Sequence, residues 1–356
     1  MLIDADPVLA TGEPSTPPNL YDLFGRALTT ALPQRRIRLG FAYATEAGLT
    51  TLLDCVARLP GWGSAEKHWL LGLHHGITEP SAIQSIANMQ RSTVRLFSGG
   101  NKLRQEDLLS GQKFHGKVFC VDSGSASQID LIIVGSANLT GAALGRVPQN
   151  YEIFLGVSDS NIPEVCSGIF NRWWSAAWNA SLPVTDSLLK EYVRFRSRLL
   201  RKNPDLAAGF DPPRPERVRN ATNLWIDAGA MSGGSRNQVE FSRSLAEFFG
   251  PIRRFSRKLR ISALGKYWDD RPLSPKTTTF GVDIWRLGLP TIAQGGFEYP
   301  GRAIRLQKHQ DEKGEYFELS VSDIDSREHR RWETKSHLGG YAGLTSGKRA
   351  FGFFGR

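Results

Sequence analysis

The hydrophobic pattern divides the chain into two regions of different texture. In the first region, short apolar runs alternate with stretches of helical spacing. The pattern predicts strands at 36–45, 67–75, 93–98, 113–122, 130–136 and 150–158, and helices at 21–32, 46–59, 79–89 and 161–178. Strands alternating with helices predict an α/β layered domain with a mixed sheet. The apolar run of residues 131–134 predicts a strand buried on both faces.

After residue 220 the pattern changes to short strand-like runs separated by loops rich in glycine, proline and charge. Strands are predicted at 223–228, 238–241, 258–263, 277–285, 303–307 and 316–321, with helices at 244–249 and 323–334. Many short strands with such loops are typical of a small, mostly-β barrel.

A length of 356 residues favours two domains. Residues 1–20 are acidic and proline-rich and are interpreted as a flexible leader, and 21–185 as the first domain. Residues 186–220 hold a basic helix and a proline-rich linker, and 221–356 form the second domain. The basic helix suits a solvated bridge between domains better than a DNA clamp.

Composition excludes several classes of protein. No apolar run approaches the roughly 20 residues that a spanning helix needs, and the first residues lack a signal peptide's basic and apolar regions. The three cysteines, Cys55, Cys120 and Cys166, are far apart and have no zinc-site spacing. We therefore expect a cytoplasmic protein without a disulfide framework or a metal centre.

The net charge of +10 is unevenly distributed. Residues 1–185 carry 14 Lys/Arg and 15 Asp/Glu, whereas residues 204–356 carry 25 Lys/Arg and 18 Asp/Glu. A basic module beside a neutral one suggests a polyanion that one part binds and the other part modifies.

Candidate chemistry lies in three short motifs of the neutral part. His115-Gly116-Lys117 is followed by Gly135-Ser136-Ala137-Asn138 and then by Asn150-Tyr151-Glu152. Two residues apart in a strand, the imidazole and the ammonium share one face. A histidine nucleophile, cationic and amide donors, and a carboxylate to orient the imidazole suit phosphodiester chemistry without a metal.

The pattern H-x-K-x4-D followed by G-S-x-N resembles the signature of the phospholipase D superfamily, over roughly residues 30–180. The resemblance implies that His115 attacks phosphorus and forms a covalent phosphohistidine. It implies that Lys117 and Asn138 bind the phosphate, that Ser136 supports the site with a hydrogen bond, and that Glu152 holds the imidazole in the required tautomer. It also implies that no cofactor or metal is required.

Two features depart from a simple match. Asp122 completes the pattern, but a longer gap than usual separates it from Gly135, so a structural role is the alternative interpretation. The motif also occurs only once in the sequence. Double displacement needs a nucleophile and a general acid on opposite sides of phosphorus, so we expect a homodimer with a shared site at a two-fold axis.

The basic half contains two candidate DNA-reading arms. Arg236, Asn237 and Gln238 follow a flexible Gly-Gly pair, and these side-chain types read guanine and adenine edges. The second candidate is residues 286–302, with Gln294 and Arg302 as base or phosphate contacts and Tyr299 as an apolar contact. An ordinary polar hairpin loop is the alternative for the first candidate.

A neutral phospholipase D-like half joined to a basic barrel resembles the BfiI/NgoFVII-type restriction endonucleases, which carry a B3-like DNA-binding domain. The resemblance implies a sequence-specific, metal-independent endonuclease of a restriction-modification system that acts on double-stranded DNA. Some relatives use a separate ATPase subunit. Since residues 339–349 lack Walker A spacing, any ATP use would belong to such a partner. The alternatives are a phospholipid phosphodiesterase or transferase, and a DNA-binding regulator with an inactive domain.

Overall fold

The computed structural model describes residues 7–10, 36–56, 60–100, 102–109, 112–122, 129–144, 152–158, 162, 164–203, 206, 213, 215–231, 236–251, 255–277, 283–345 and 348–355. The chain forms two compact units, Met1–Asp211 and Pro212–Arg356. The division falls inside the segment 186–220 that the sequence predicts to be a helix and linker.

The first unit contains strands and helices in alternation. Its strands are β1 (Pro7–Ala10), β2 (Arg36–Phe41), β3 (Glu66–Gly72), β4 (Ser92–Phe97), β5 (Lys117–Asp122), β6 (Ile129–Gly135), β7 (Glu152–Ser158) and β8 (Ser181–Pro183). Its helices are α1 (Glu46–Val56), α2 (Pro60–Ser64), α3 (Pro80–Ala87), α4 (Gly141–Leu144), α5 (Glu164–Asn179) and α6 (Asp186–Lys202), with 3₁₀ turns at His74–Gly76 and Glu106–Leu108.

These strands form one mixed sheet. The described strands lie in the order β1-β7-β6-β5-β2-β3-β4-β8. Strands β2, β3 and β4 are parallel, whereas β5, β6 and β7 follow one another antiparallel. The α/β mixed-sheet prediction is confirmed. As a consequence, the ends of β2 and β6 and the starts of β5 and β7 meet at one edge of the sheet.

Three local predictions need correction. Strand β5 begins at Lys117, so His115 precedes the strand instead of lying within it. Val134 is 42% exposed, so β6 is open on one face near its end, and the apolar run alone does not prove a covered strand. Residues 7–10 lie in the expected leader but pair with β7. The predicted helix at 21–32 lies outside the described residues.

The basic helix α6 packs against the first unit. Tyr192 Oη donates a hydrogen bond to Thr78 O at 2.7 Å, and Arg196 Nε donates to Gly76 O at 2.6 Å. Arg196 is almost completely buried. No helix among the described residues is both long and apolar enough to span a membrane.

The second unit is mostly strand. Its strands are β9 (Asn223–Asp227), β10 (Gln238–Ser242), β11 (Arg257–Ala263), β12 (Lys266–Thr277), β13 (Asp283–Gly288), β14 (Arg302–Asp311), β15 (Gly314–Asp323), β16 (Gly340–Leu344) and β17 (Ala350–Phe354). Its helices are α7 (Pro215–Asn220), α8 (Arg243–Ala246) and α9 (Arg327–Gly339), with 3₁₀ turns at Glu247–Phe249 and Ile292–Gln294.

The described strands of this unit lie in the order β10-β13-β12-β11-β15-β14-β9-β17-β16. Aromatic and aliphatic side chains, among them Phe241, Phe249 and Phe317, fill one side of the sheet. On the other side, α9 packs Trp332 against Trp225. The mostly-β prediction is therefore confirmed, whereas the B3-like pseudobarrel stays a prediction, since β10 and β16 are unjoined edges among the described strands.

The sequence pattern did not predict two elements of this unit, strand β12 and helix α7. Strand β12 (KYWDDRPLSPKT) contains two prolines and several charges, which disfavour strand, yet it pairs with β11 and β13. Helix α7 forms in the expected extended linker, and it begins at Pro215, the position where a helix tolerates proline best.

Candidate active site

The sheet edge described above brings the three motifs of the first unit together. Lys117 is the first residue of β5, and His115 lies two residues before it. Ser136 and Asn138 follow the last residue of β6, and Glu152 is the first residue of β7. Strand β6 pairs with both β5 and β7, so the motifs occupy neighbouring strand ends. The polar groups of all three motifs are thus grouped at one edge.

His115 and Lys117 are in direct contact. Lys117 Nζ lies 3.0 Å from His115 Nδ1 and donates to His115 O at 3.0 Å. An ammonium can only donate, so Nδ1 is the acceptor and the neutral imidazole carries its proton on Nε2. The two side chains share a face as predicted, although the segment is a turn into the strand and not the strand itself.

The segment after β6 is fixed by the chain that follows β2. Tyr43 N donates to Asn138 Oδ1 at 3.2 Å. Leu139 N donates to Tyr43 O at 3.0 Å, and Thr45 N donates to Leu139 O at 2.8 Å. With its oxygen engaged by the backbone, the Asn138 amide group can offer its N–H donors to a ligand.

Helix α1 approaches this segment closely at Gly48. A methyl group at residue 48 would lie 2.3 Å from the carbonyl carbon of Leu139 and 2.4 Å from Thr140 N. Only glycine permits that approach, since real side-chain carbons do not come so near to backbone atoms. The Asn138 loop is therefore held from two sides.

Glu152 contacts the serine of the second motif. Ser136 Oγ donates a short hydrogen bond to Glu152 Oε2. Glu152 also acts on Lys117, because its negative charge favours the protonated ammonium and opposes the lowering of that lysine's pKa by burial. The predicted contact between Glu152 and the imidazole stays a prediction.

The surroundings of His115 favour its neutral form. Partial burial lowers the pKa of the imidazole from 6.5, and the positive charges of Lys117 and Lys113 lower it further. A neutral imidazole is the form that can act as a nucleophile.

An open, apolar cavity of about 510 Å³ adjoins the histidine. His115 and Lys117 form its polar part, and Val134 and Ile169 belong to its apolar wall. Trp173 also lines it and is 40% exposed. An aromatic face at helical spacing, as on helix α5, is ordinarily buried in the core. That holds for Phe170 and Trp174, whereas Trp173 borders the site.

Asp122 lies away from the other motif residues. It ends β5, about 17 Å along the strand from Lys117. It is fully buried, with Arg36 Nε at 3.1 Å and Arg38 Nη2 at 2.9 Å from its Oδ2. This geometry fits the structural role that the long gap after Asp122 suggested.

Among the described residues, a set of potential metal ligands comes together in the second unit at Asp325, His329 and Glu333. Asp325 N donates to His329 Nδ1 at 3.1 Å, so the imidazole proton lies on Nε2. Nε2 lies 3.4 Å from Asp227 Oδ1. With Nδ1 occupied by the Asp325 backbone and Nε2 beside the Asp227 carboxylate, His329 links α9 to β9.

The two predicted DNA-reading arms meet at one end of the second sheet. Arg236 and Asn237 form an exposed turn before β10, and Gln238 pairs with Gly288 at the end of β13. Asn237 Nδ2 donates to Leu289 O at 3.0 Å, and Leu289 N donates to Asn237 O at 2.7 Å. Residues 232–235 lie outside the described residues.

The second arm is more ordered than its sequence suggests. Gln294 completes a capping box with Thr291, and its Oε1 also accepts from Arg271 Nη1 at 3.1 Å. Arg302 is exposed and lies 3.3 Å from Asp323. Tyr299, the predicted apolar contact of this arm, is instead buried and donates to Pro290 O at 2.7 Å. Burial raises the pKa of Tyr299 to about 12.

No protein-family model and no curated protein matches the chain. Among solved structures, it is similar to the phospholipase D family member Nuc from Salmonella typhimurium, with 17% identity, 51% of this chain and 100% of that chain covered, and a TM-score of 0.34. NucT from Helicobacter pylori is 14% identical, with 46% of this chain and 89% of that chain covered and a TM-score of 0.33. Phosphatidylserine synthase from Haemophilus influenzae is 13% identical, with 58% of this chain and 46% of that chain covered and a TM-score of 0.35.

Proposed function

We propose that the chain is a phosphodiesterase that cuts double-stranded DNA at specific sequences, without a metal, as a homodimer of a restriction-modification system. The observation that carries this proposal is the grouping of His115, Lys117, Ser136, Asn138 and Glu152 at one sheet edge. An imidazole beside an ammonium and an amide is the combination that in-line attack on a phosphodiester requires.

The reaction proceeds in two displacements. An imidazole nitrogen of His115 forms a bond to phosphorus while the bond from phosphorus to the leaving oxygen breaks. The protonated His115 of the second subunit gives its proton to that oxygen. The His115 of the second subunit, now neutral, takes a proton from water as the water oxygen attacks phosphorus, and the bond from phosphorus to the first imidazole breaks. Lys117 and the Asn138 amide stabilise the charge that develops on the phosphate oxygens.

Substrate binding must rearrange the Lys117–His115 contact. At 3.0 Å from Nδ1, the ammonium keeps the proton on Nε2. A phosphate competes for the ammonium and releases Nδ1, which then takes the proton and leaves a lone pair on Nε2 for attack. Glu152 holds that tautomer in the proposed mechanism.

Two features support DNA as the substrate and a second copy as the partner. Residues 204–356 carry 25 Lys/Arg against 18 Asp/Glu, and the two arms meet at one end of that sheet. Large apolar side chains are exposed in the first unit, and three of them line the cavity beside His115: Val134, Ile169 and Trp173. Apolar surface of this kind is typical of protein interfaces.

A plasmid assay in the presence of EDTA tests the proposal. Discrete fragments from the wild-type chain, their loss in His115→Ala, and retained binding of the same DNA by that variant are the expected results. A smear of fragments would show that cleavage is non-specific and would contradict the proposed sequence specificity. A requirement for Mg²⁺ in the chemical step, or full activity of His115→Ala, would overturn the mechanism.

A second candidate follows from the apolar cavity beside His115. Val134, Ile169 and Trp173 would suit the glyceride part of a phospholipid as well as a protein surface. Mixed phosphatidylcholine and phosphatidylglycerol vesicles, incubated with the wild-type chain and with His115→Ala, separate the two. Histidine-dependent release of headgroup without DNA cleavage would favour the lipid enzyme.

A further inference from the structure

The residue before the candidate nucleophile is anchored between glycines. Phe114 is buried, and its ring packs where two glycines leave space. A methyl group at residue 40 would lie 3.0 Å from Phe114 Cζ, and one at residue 116 would lie 2.8 Å from the same atom. A methyl group at residue 72 would lie 3.0 Å from Phe114 O. The segment carrying His115 is therefore fastened to the sheet through Phe114.

Trp173 covers this anchor from helix α5. Its ring stacks on Phe114 with centroids 5.9 Å apart, and a methyl group at residue 116 would lie 3.2 Å from Trp173 Cη2. Phe170 and Trp174 contact Trp173 from behind, with centroids at 5.8 Å and 6.3 Å. The indole thus lies directly over Gly116, between the imidazole-bearing and ammonium-bearing residues.

His115 itself is exposed, and the contacts described above join it to the flexible Lys117 side chain. We propose that Phe114 and Trp173 form a positioning pair, in which the stacked rings fix the 115–117 backbone and so the direction of the His115 imidazole. Trp173 acts through His115 and is a positioning residue, not a catalytic one. The effect on rate rests on the proposed function, whereas the effect on the imidazole does not.

Trp173→Leu in the full chain tests the pair, with Trp173→Phe as the conservative variant. Trp178→Leu is the matched control, because Trp178 lies on the same helix but stacks on His68, 5.1 Å away, and does not line the cavity. We expect Trp173→Leu to lower kcat by about ten- to a hundredfold with little change in KM, as misplaced catalytic groups do. Trp173→Phe should recover most of the loss, and Trp178→Leu should keep the wild-type kcat.

A second readout needs no activity. The charged or titratable groups around His115 are Lys113 and Lys117, with Glu152 acting on Lys117 and Cys166 lining the cavity. Burial is the largest cause of the lowered pKa of His115. Because Trp173 and His115 line the same cavity, we expect removal of the indole to reduce that burial and to raise the pKa of His115 toward 6.5, which an NMR titration of the His115 ring detects after assignment with His115→Gln.

The outcomes are separable. If Trp173→Leu changes neither kcat nor the His115 titration, or if Trp178→Leu reproduces both changes, the positioning pair is wrong. If the wild-type chain cleaves no phosphodiester, the proposed function fails and the titration alone decides the pair. If Trp173→Leu does not fold, Gly116→Ala changes no residue of α5 and pushes on the same two rings. It should produce the same loss of kcat and a shifted titration, and wild-type values for both would reject the pair.

Discussion

Arg38 and Asp122 form an ion pair of 2.9 Å in the interior of the first unit, on neighbouring strands β2 and β5. The guanidinium also donates to Asn171 Oδ1 at 2.7 Å and lies 4.7 Å from the centre of the Phe170 ring. The aspartate of the motif thus joins the sheet to helix α5, which carries the aromatic wall of the site.

We expect Asp122→Asn to damage stability and not chemistry. The substitution leaves buried positive charge without its partner, which typically costs about 3–5 kcal/mol of unfolding free energy. Cleavage per folded molecule should stay near the wild-type value. Chemical denaturation, with activity normalised to the folded fraction, measures both. Glu191→Gln removes an exposed pair with Arg194 and serves as the control, with an expected change of about 0.5 kcal/mol or less. A stable but inactive Asp122→Asn would assign Asp122 to the chemistry.

The pH dependence of cleavage follows from the lowered pKa of His115. In the proposed mechanism one copy is neutral to attack and the other is protonated to act as the acid, so productive dimers are most abundant near the histidine pKa. Below it both imidazoles are charged, and above it both are neutral. Since the pKa of the free protein is lowered from 6.5, we expect a bell-shaped profile of kcat/KM centred below 6.5.

Lys113→Gln tests why the pH profile is centred below 6.5. Lys113 lowers the pKa of His115 through its charge, so its removal should move the profile to higher pH without abolishing activity. Lys102→Gln, an exposed lysine that is not among the causes of the shift, should leave the profile in place. A wild-type profile centred well above 6.5 would contradict the assignment.

The oxygen and the amide nitrogen of the Asn138 side chain can be tested separately. Its Oδ1 accepts from Tyr43 N at 3.2 Å, a bond that an aspartate can keep. Asn138→Asp should therefore stay folded, but it loses the amide donors and adds a negative charge next to the phosphate. We expect a fall in kcat/KM of about a hundredfold or more, the usual cost of a lost transition-state donor. Asn138→Ala, which loses both functions, should also lower the melting temperature. Wild-type kinetics in Asn138→Asp would remove Asn138 from phosphate binding.

Arg236 and Gln294 should differ in their effects on DNA recognition. Arg236 is exposed on the arm turn, whereas Gln294 Oε1 is occupied by Thr291 N at 3.0 Å and by Arg271. We expect Arg236→Ala to weaken specific binding by about 1–3 kcal/mol if it reads a base. Gln294→Ala should act mainly through the turn, on stability. Titrations with specific and unrelated duplexes separate the two, and equal loss on both duplexes would make Arg236 a phosphate contact.

The grouping of the candidate site residues could be predicted from the sequence, whereas the contacts that hold them in place could not. The types and order of His115, Lys117, Ser136 and Asn138 are a local signal, and the alternation of strands indicates that they share an edge. The contact between Tyr43 and Asn138 joins residues 95 apart. No periodicity encodes such a pairing, because it depends on which strands become neighbours.

The exposure of Trp173 is a second feature that the sequence pattern does not predict. Helical spacing places it on an aromatic face, and burial of that face is the expected outcome. Its exposure follows from the open end of the sheet beside Val134, which depends on strand lengths and on what covers the neighbouring strands. The prolines of β12 disfavour a strand, yet a strand forms there. Pairing with a neighbouring strand on both sides outweighs the weak local propensity.

Mixing wild-type and His115→Ala chains tests the shared site. If each active unit needs a histidine from both subunits, an equal mixture that has exchanged subunits contains about a quarter active dimers, whereas independent monomers would keep about half of the activity. Ile169→Asp should weaken association, because Ile169 is 55% exposed on the apolar surface beside His115. Sedimentation velocity measures that loss, and Leu264→Asp, an exposed leucine of the second unit, controls for added charge. Half activity in the mixture, together with an active monomeric Ile169→Asp, would require another general acid within the same chain.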